Sequence, residues 1–241
     1  MAKKSKYQPL ELDLFQVLEQ YPQEIVRNEK QRANIKDLDV LVDSTGTLTI
    51  SGGTIAGGTI TNTSGIIEQN GGLTKDETYN LGAGTIKLAG GTYAGRIYNG
   101  GTNTGADDNS KTAILTIGTT GKAGNVTGGI TNYTGDTVNI INGTVSNGSV
   151  DNSGIINIGE TGSTGGTAVI GIGSGTISAQ VTNNSGGTIN IKRGLIAIID
   201  GVMTNKSGGI INVSGGTITS AITNSSGGTI RATTTAGISA L

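Results

Sequence analysis

From about residue 44 to the C-terminus the chain repeats one short phrase: a Thr/Ile/Val run, then Asn, Ser and Gly, then another Thr/Ile run. The clearest copies are VTNNSGGTINI from Val181, MTNKSGGIINV from Met203 and ITNSSGGTIRA from Ile222, with looser ones starting at Ile60, Ile130 and Val150. Self-similarity at so short a period is the mark of a stacked array, in which each unit buries its apolar face only against its neighbours. The phrase therefore predicts an all-β chain, a β-solenoid of the parallel β-helix kind, over residues 44–241. A short helical segment precedes it.

Each residue type in the phrase has a mechanical reason. Alternation such as Thr188, Ile189, Asn190, Ile191 sends the aliphatic side chain inward and the polar one outward on a strand. The corners are assigned to Asn183, Gly186 and Gly187, to Asn205, Gly208 and Gly209, and to Asn224, Gly227 and Gly228. Glycine there supplies positive φ or close backbone approach, and stacked Asn side chains can form ladders from coil to coil. The chain has 43 glycines and no Trp, so the core must be thin and aliphatic. Asn183 to Asn205 and Asn205 to Asn224 suit one coil each. The longer intervals Asn62 to Asn99 and Asn99 to Asn132 call for extra strands or loops.

Composition divides the chain near residue 43. Residues 1–43 carry 15 of the 33 charged residues, both prolines and the single Phe, and no glycine. Within them Leu10, Leu14, Val17, Leu18 and Tyr21, widened by Phe15, form a stripe at helical spacing. This stripe reads either as a cap over the first coil or as an anchor docking the rod on a partner. Leu38, Val40 and Val42 alternate as a strand entering the solenoid.

The missing residue types restrict function. With no Cys and no His, the chain has no thiol nucleophile, no disulfide and none of the commonest zinc ligands, and no cofactor is expected. Net charge is −1, which gives no preference for nucleic acid. No apolar run is long enough to insert in a membrane, and the first residues do not form a secretory signal peptide. Two polar stretches, Glu68 to Asn80 and Asn99 to Lys111, read as loops, with Asp107 and Asp108 solvated rather than metal-binding. The neighbouring acids Asp76 and Glu77 point to opposite faces of a strand, which argues against a catalytic pair. Asn-x-Ser/Thr triplets, as at Asn62, Asn132 and Asn205, follow from composition rather than from glycan attachment. Thr-x-Thr pairs at Thr47, Thr59 and Thr217 are expected to lose register through the uneven coil lengths, which argues against ice binding.

The repeats resemble the β-solenoid shafts of bacteriophage tail fibres and tail spikes and of bacterial surface adhesins. The resemblance implies a non-enzymatic structural or attachment protein of a virion or extracellular surface, joined to other virion or filament proteins through residues 1–43. It also implies self-association, most simply a homotrimer. The alternatives are a self-assembling filament or adhesin subunit, and a spike that binds or cleaves a surface polysaccharide.

Overall fold

The computed structural model describes residues 23–26, 29–31, 35–102, 104, 112–119, 121–159, 167–171, 180–192, 196–200, 202–215, 217–218, 221–233 and 237–238. These residues form a β-solenoid with three faces, and every pairing between its strands is parallel. Face A is a 10-stranded sheet running Gln23–Val26, Asp39–Val42, Thr59–Thr63, Glu77–Leu81, Ile97–Asn99, Ile130–Asn132, Val150–Asn152, Val181–Asn183, Met203–Asn205 and Ile222–Asn224. After each of these strands the chain turns into face B, which includes Thr47–Ile50, Ile114–Ile117, Thr137–Ile140, Ile155–Ile158, Thr188–Ile191, Ile210–Val213 and Thr229–Ala232. It then turns into face C, which includes Thr54–Ala56, Gly124–Val126, Gly143–Val145 and Ile196–Asp200. Ten layers at the usual strand spacing make a rod about 45 Å tall.

The strands exist because period-2 alternation gives each coil an apolar inner side. Thr188–Ile191 shows the pattern, with Ile189 and Ile191 fully buried and Thr188 and Asn190 half-buried outside. Stacking converts these positions into continuous columns. One column of face A runs Val40, Ile60, Thr78, Ile97, Ile130, Val150, Val181, Met203. A single chain supplies all these columns, so burying them does not require a core shared among three chains. Among the described residues the one aromatic ring in the core is Tyr93, whose hydroxyl bonds Thr78 Oγ1 where the aliphatic column is interrupted. Beside it Thr74 Oγ1 donates to Gln69 Oε1 at 2.9 Å, and Gln69 Nε2 donates to Thr92 O at 3.1 Å. The buried polar side chains of Tyr93, Thr78, Thr74 and Gln69 are thus hydrogen-bonded, as a dry interior demands.

An Asn at or next to the end of eight face A strands is the feature that organises the stack. Asn62, Asn80, Asn99, Asn132, Asn152, Asn183 and Asn205 are all completely buried, and Asn224 continues their line. Each Nδ2 donates to Oδ1 of the Asn one coil further on, at 2.7 to 2.9 Å, in an unbroken ladder from Asn62 to Asn224. Each also donates to a carbonyl of its own turn, as Asn183 does to Gly187 at 3.1 Å and Asn205 to Gly209 at 3.2 Å. The ladder starts abruptly. The preceding coil places Val42 at this position, so Asn62 Oδ1 is buried without a donor.

The two glycines of each corner do different work. Gly186 turns the chain at φ +80, which an L-residue with a side chain adopts only under strain. Gly187 has an ordinary φ but no room, since a Cβ there would lie 2.6 Å from Asn183 Oδ1 and 2.5 Å from Asn152 O. The second glycine therefore makes space for the ladder.

Several expectations change. The stretch Glu68 to Asn80 is not a loop: it runs through strands Ile66–Thr74 and Glu77–Leu81. The pair Gly71 and Gly72, the latter at φ +76, turns the first of these round a corner at a break in its register, and parallel pairing resumes at Leu73. Asn80 is consequently a rung of its own between Asn62 and Asn99. The strands Gln23–Val26 and Glu29–Gln31 pair with Asp39–Val42 and Thr47–Ile50, so coil structure begins ahead of residue 44. Leu10, Leu14, Phe15, Val17, Leu18 and Tyr21 lie outside the described residues, as do Asp107 and Asp108. Among the described residues no helix is long and apolar enough to cross a membrane.

Two stability differences follow from this geometry. Asn132→Ala leaves the buried Asn152 Oδ1 without its donor and removes one hydrogen bond each from Asn99 Nδ2 and the Asp136 carbonyl, and is expected to cost about 2 to 3 kcal/mol. Asn224→Ala, at the exposed end, should cost about 1 kcal/mol or less. Paired thermal melts of the two variants check this contrast. In the same assay Gly187→Ala should lower the melting temperature by several degrees. Gly52→Ala, where a Cβ would meet nothing within 4 Å, should leave it unchanged or slightly raised.

Candidate interaction surface

The outward positions of face A are mostly threonine. The column that passes over the middle of the strands reads Leu41, Thr61, Tyr79, Tyr98, Thr131, Asp151, Thr182, Thr204, Thr223. Parallel register puts Tyr79 and Tyr98 on successive coils, with ring centroids 5.3 Å apart and planes inclined by 37°. The Arg96 guanidinium sits 5.8 Å from the centre of the Tyr98 ring. The two rings and the cation form one half-buried patch on a face otherwise made of short side chains.

Arg96 ties this patch to the next two coils. Its Nε and Nη2 donate to Thr131 Oγ1 at 3.0 and 2.8 Å, Nη1 donates to Ser149 Oγ at 2.9 Å, and Nη2 meets Asp151 Oδ2 at 2.5 Å. The ion pair is partly shielded, with the Arg96 side chain 24% exposed and that of Asp151 39%. Neither partner could be matched in the sequence, because 55 residues separate them. On the other side Tyr79 donates its hydroxyl hydrogen to Glu77 Oε2 at 3.1 Å. Burial pushes the Tyr79 phenol up to about 12, and the hydrogen bond to Glu77 and its charge push the same way. Tyr98 is raised for the same first reason, with Arg96 opposing. Both therefore remain neutral phenols across the physiological range.

Asp39 lies in one outward column with Glu77, two coils and about 10 Å away, and its Oδ1 accepts from the N–H and hydroxyl of Thr59. Glu77 and Asp151 stand three coils apart, about 14 Å, whereas glycoside cleavage uses carboxylates about 5 to 10 Å apart. Asp76 is turned away from Glu77 into the rod, where it accepts from the Gly57 N–H at 2.6 Å. Burial raises its pKa, with the N–H groups of Gly58 and Gly57 opposing and the charges of Asp39 and Asp37 adding. Among the described residues no three His, Cys, Asp or Glu side chains gather as metal ligands.

The corner residues expected from the sequence occupy the places just described. Asn183, Asn205 and Asn224 end their strands and hold the turn from within, while Gly186, Gly208 and Gly227 take φ values of +80, +78 and +86. Gly187, Gly209 and Gly228 border the ladder. Since Asn62, Asn132 and Asn205 are buried rungs, their Asn-x-Ser/Thr triplets are closed to glycan attachment in the folded chain. The Tyr79, Tyr98 and Arg96 group escaped the sequence reading. Its only linear trace is that three of the chain's 6 tyrosines, Tyr79, Tyr93 and Tyr98, fall within two coils.

No protein-family model matches this chain, and no curated protein matches it. Among solved structures it is similar to a hyper-glycosylated TibA fragment produced by TibC catalysis, at 17% identity over 90% of this chain and 97% of that one, with a TM-score of 0.24.

The raised phenol values have a defined consequence. An unfolded tyrosine ionises near 10 and the folded Tyr79 near 12, so its contribution to stability is intact below pH 10 and lost as the pH climbs from 10 toward 12. Melting temperatures recorded between pH 9 and 12 should fall over that window, and Tyr79→Phe should shrink the fall.

Proposed function

We propose that the chain is a rigid, non-enzymatic stalk that holds its outer faces away from the surface of a particle or cell, as an attachment fibre or adhesin does. The observation that carries this reading is the unbroken buried Asn ladder. It couples the coils from Asn62 to Asn205 through fully buried amides shielded from water, which favours a stiff rod over a flexible tether. The absence of histidine, the commonest general base, supports a role without catalysis. A virion fibre anchored through the N-terminal residues is the more specific form of the proposal. Deleting residues 1–22 and measuring retention in the native particle or surface fraction tests it: retention should drop at least tenfold. Undiminished retention would remove the anchoring role.

A second reading, contact with a surface carbohydrate, is favoured by the Tyr79, Tyr98 and Arg96 patch. Half-buried phenol rings beside carboxylate acceptors supply both stacking area and hydroxyl-binding groups. On a glycan array the full chain should bind a restricted set of glycans, and Tyr98→Ala should abolish that signal while the rod stays folded. Equal signals from both proteins would dismiss the reading.

A further inference from the structure

Face B carries a pattern that the linear sequence hides. Its first outward column, read through nine successive coils, is Thr47, Ile66, Thr85, Ile114, Thr137, Ile155, Thr188, Ile210, Thr229, a strict alternation of threonine and isoleucine. The second column, two residues along each strand, is Thr49, Glu68, Lys87, Thr116, Asn139, Asn157, Asn190, Asn212, Arg231. The four asparagines hydrogen-bond one another at 2.9 to 3.1 Å. The result is a flat strip with an apolar knob on every second coil and a threonine notch between knobs. Ile155 is 41% exposed, one of two large hydrophobic side chains so exposed among the described residues. Threonine at every position would serve a solvent face as well in strand propensity without exposing four isoleucines.

A strip with a knob on alternate coils is complementary to itself. We infer that face B pairs with face B of a second copy of this chain, the two rods lying side by side and antiparallel. A twofold axis between the faces, parallel to the strands, keeps each column opposite itself and reverses the order of coils. With Thr137 opposite Ile155 of the other copy, every isoleucine from Ile66 to Ile210 meets a threonine. The same register brings Glu68 opposite Arg231 of the other copy at both ends of the contact. Sliding the copies by two coils keeps the knobs in notches but separates these charges, so the charges select one register. Within one chain Glu68 meets Lys87 at 3.0 Å, and the second cation completes a cluster around the carboxylate.

Eight coils of a four-residue strand cover about 500 Å² on each copy, at the lower end of specific interfaces, so the pairing is weak and depends on concentration. The proposal is independent of the stalk reading, because it needs only the register of face B. Sedimentation equilibrium of the full chain over a concentration series reaching about 1 mM should show a monomer–dimer equilibrium. Ile155→Lys, at an outward position, should weaken it about tenfold or more without changing the thermal melt. Glu68→Arg and Arg231→Glu should each weaken it, and the double variant E68R/R231E should restore it. About 34 Å separates these residues within one chain, so rescue reports a contact between antiparallel copies and not a repaired contact within one. A chain that stays monomeric throughout, a dimer indifferent to Ile155→Lys, or a double reversal no better than the singles would each overturn the inference.

Discussion

The hydrogen bond from one buried asparagine amide to the next is the interaction on which the rest of this rod depends. A side-chain amide placed in an aliphatic core costs several kcal/mol unless its donors and acceptor are met. Here each rung is met only if the coil above and the coil below present the same group at the same height. The ladder therefore fixes the register of the coils from Asn62 to Asn224, and with it the columns they carry on all three faces. Aliphatic burial drives the coils together but slides easily. The amides do not slide.

That constraint explains where the chain tolerates irregularity. Rungs are separated by 18 residues between Asn62 and Asn80, but by 33 between Asn99 and Asn132 and by 31 between Asn152 and Asn183. The strands on both sides of these longer intervals remain in parallel register. Uneven spacing thus does not break the register, contrary to the expectation used against a regular outer face. No continuous Thr-x-Thr surface forms for another reason: Thr47 pairs with Ile66, and Thr61 with Tyr79.

A stack of this kind separates stability from surface chemistry. The inner columns and the ladder hold the rod, so outward positions are free to carry Thr, Asn, Tyr or Arg without affecting closure. The Tyr79, Tyr98 and Arg96 patch and the notched strip of face B occupy different faces of the same coils. Contact with a ligand on one face and with a second rod on the other would not compete. The polar cluster around Tyr93, Thr78 and Gln69 lies beneath both and ties these coils together from inside.

The sequence alone determined the solenoid, because alternation of apolar with polar residues and the recurrence of Asn and Gly report local geometry that each coil carries for itself. Ile189 and Ile191 inside, Asn183 and Gly186 at the corner, and a thin core without broad aromatics were all legible. Three things were not: Asn80 as a rung, the Gly57 N–H as the partner of Asp76, and the pairing of Arg96 with Asp151. Each depends on which residue lies directly above another. Vertical neighbours are set by how many residues every corner absorbs, a quantity the repeat phrase does not encode. The Thr/Ile alternation of face B exists only along the stacking direction, where parallel register joins residues 18 to 33 apart, and so tertiary structure alone decided what this surface presents.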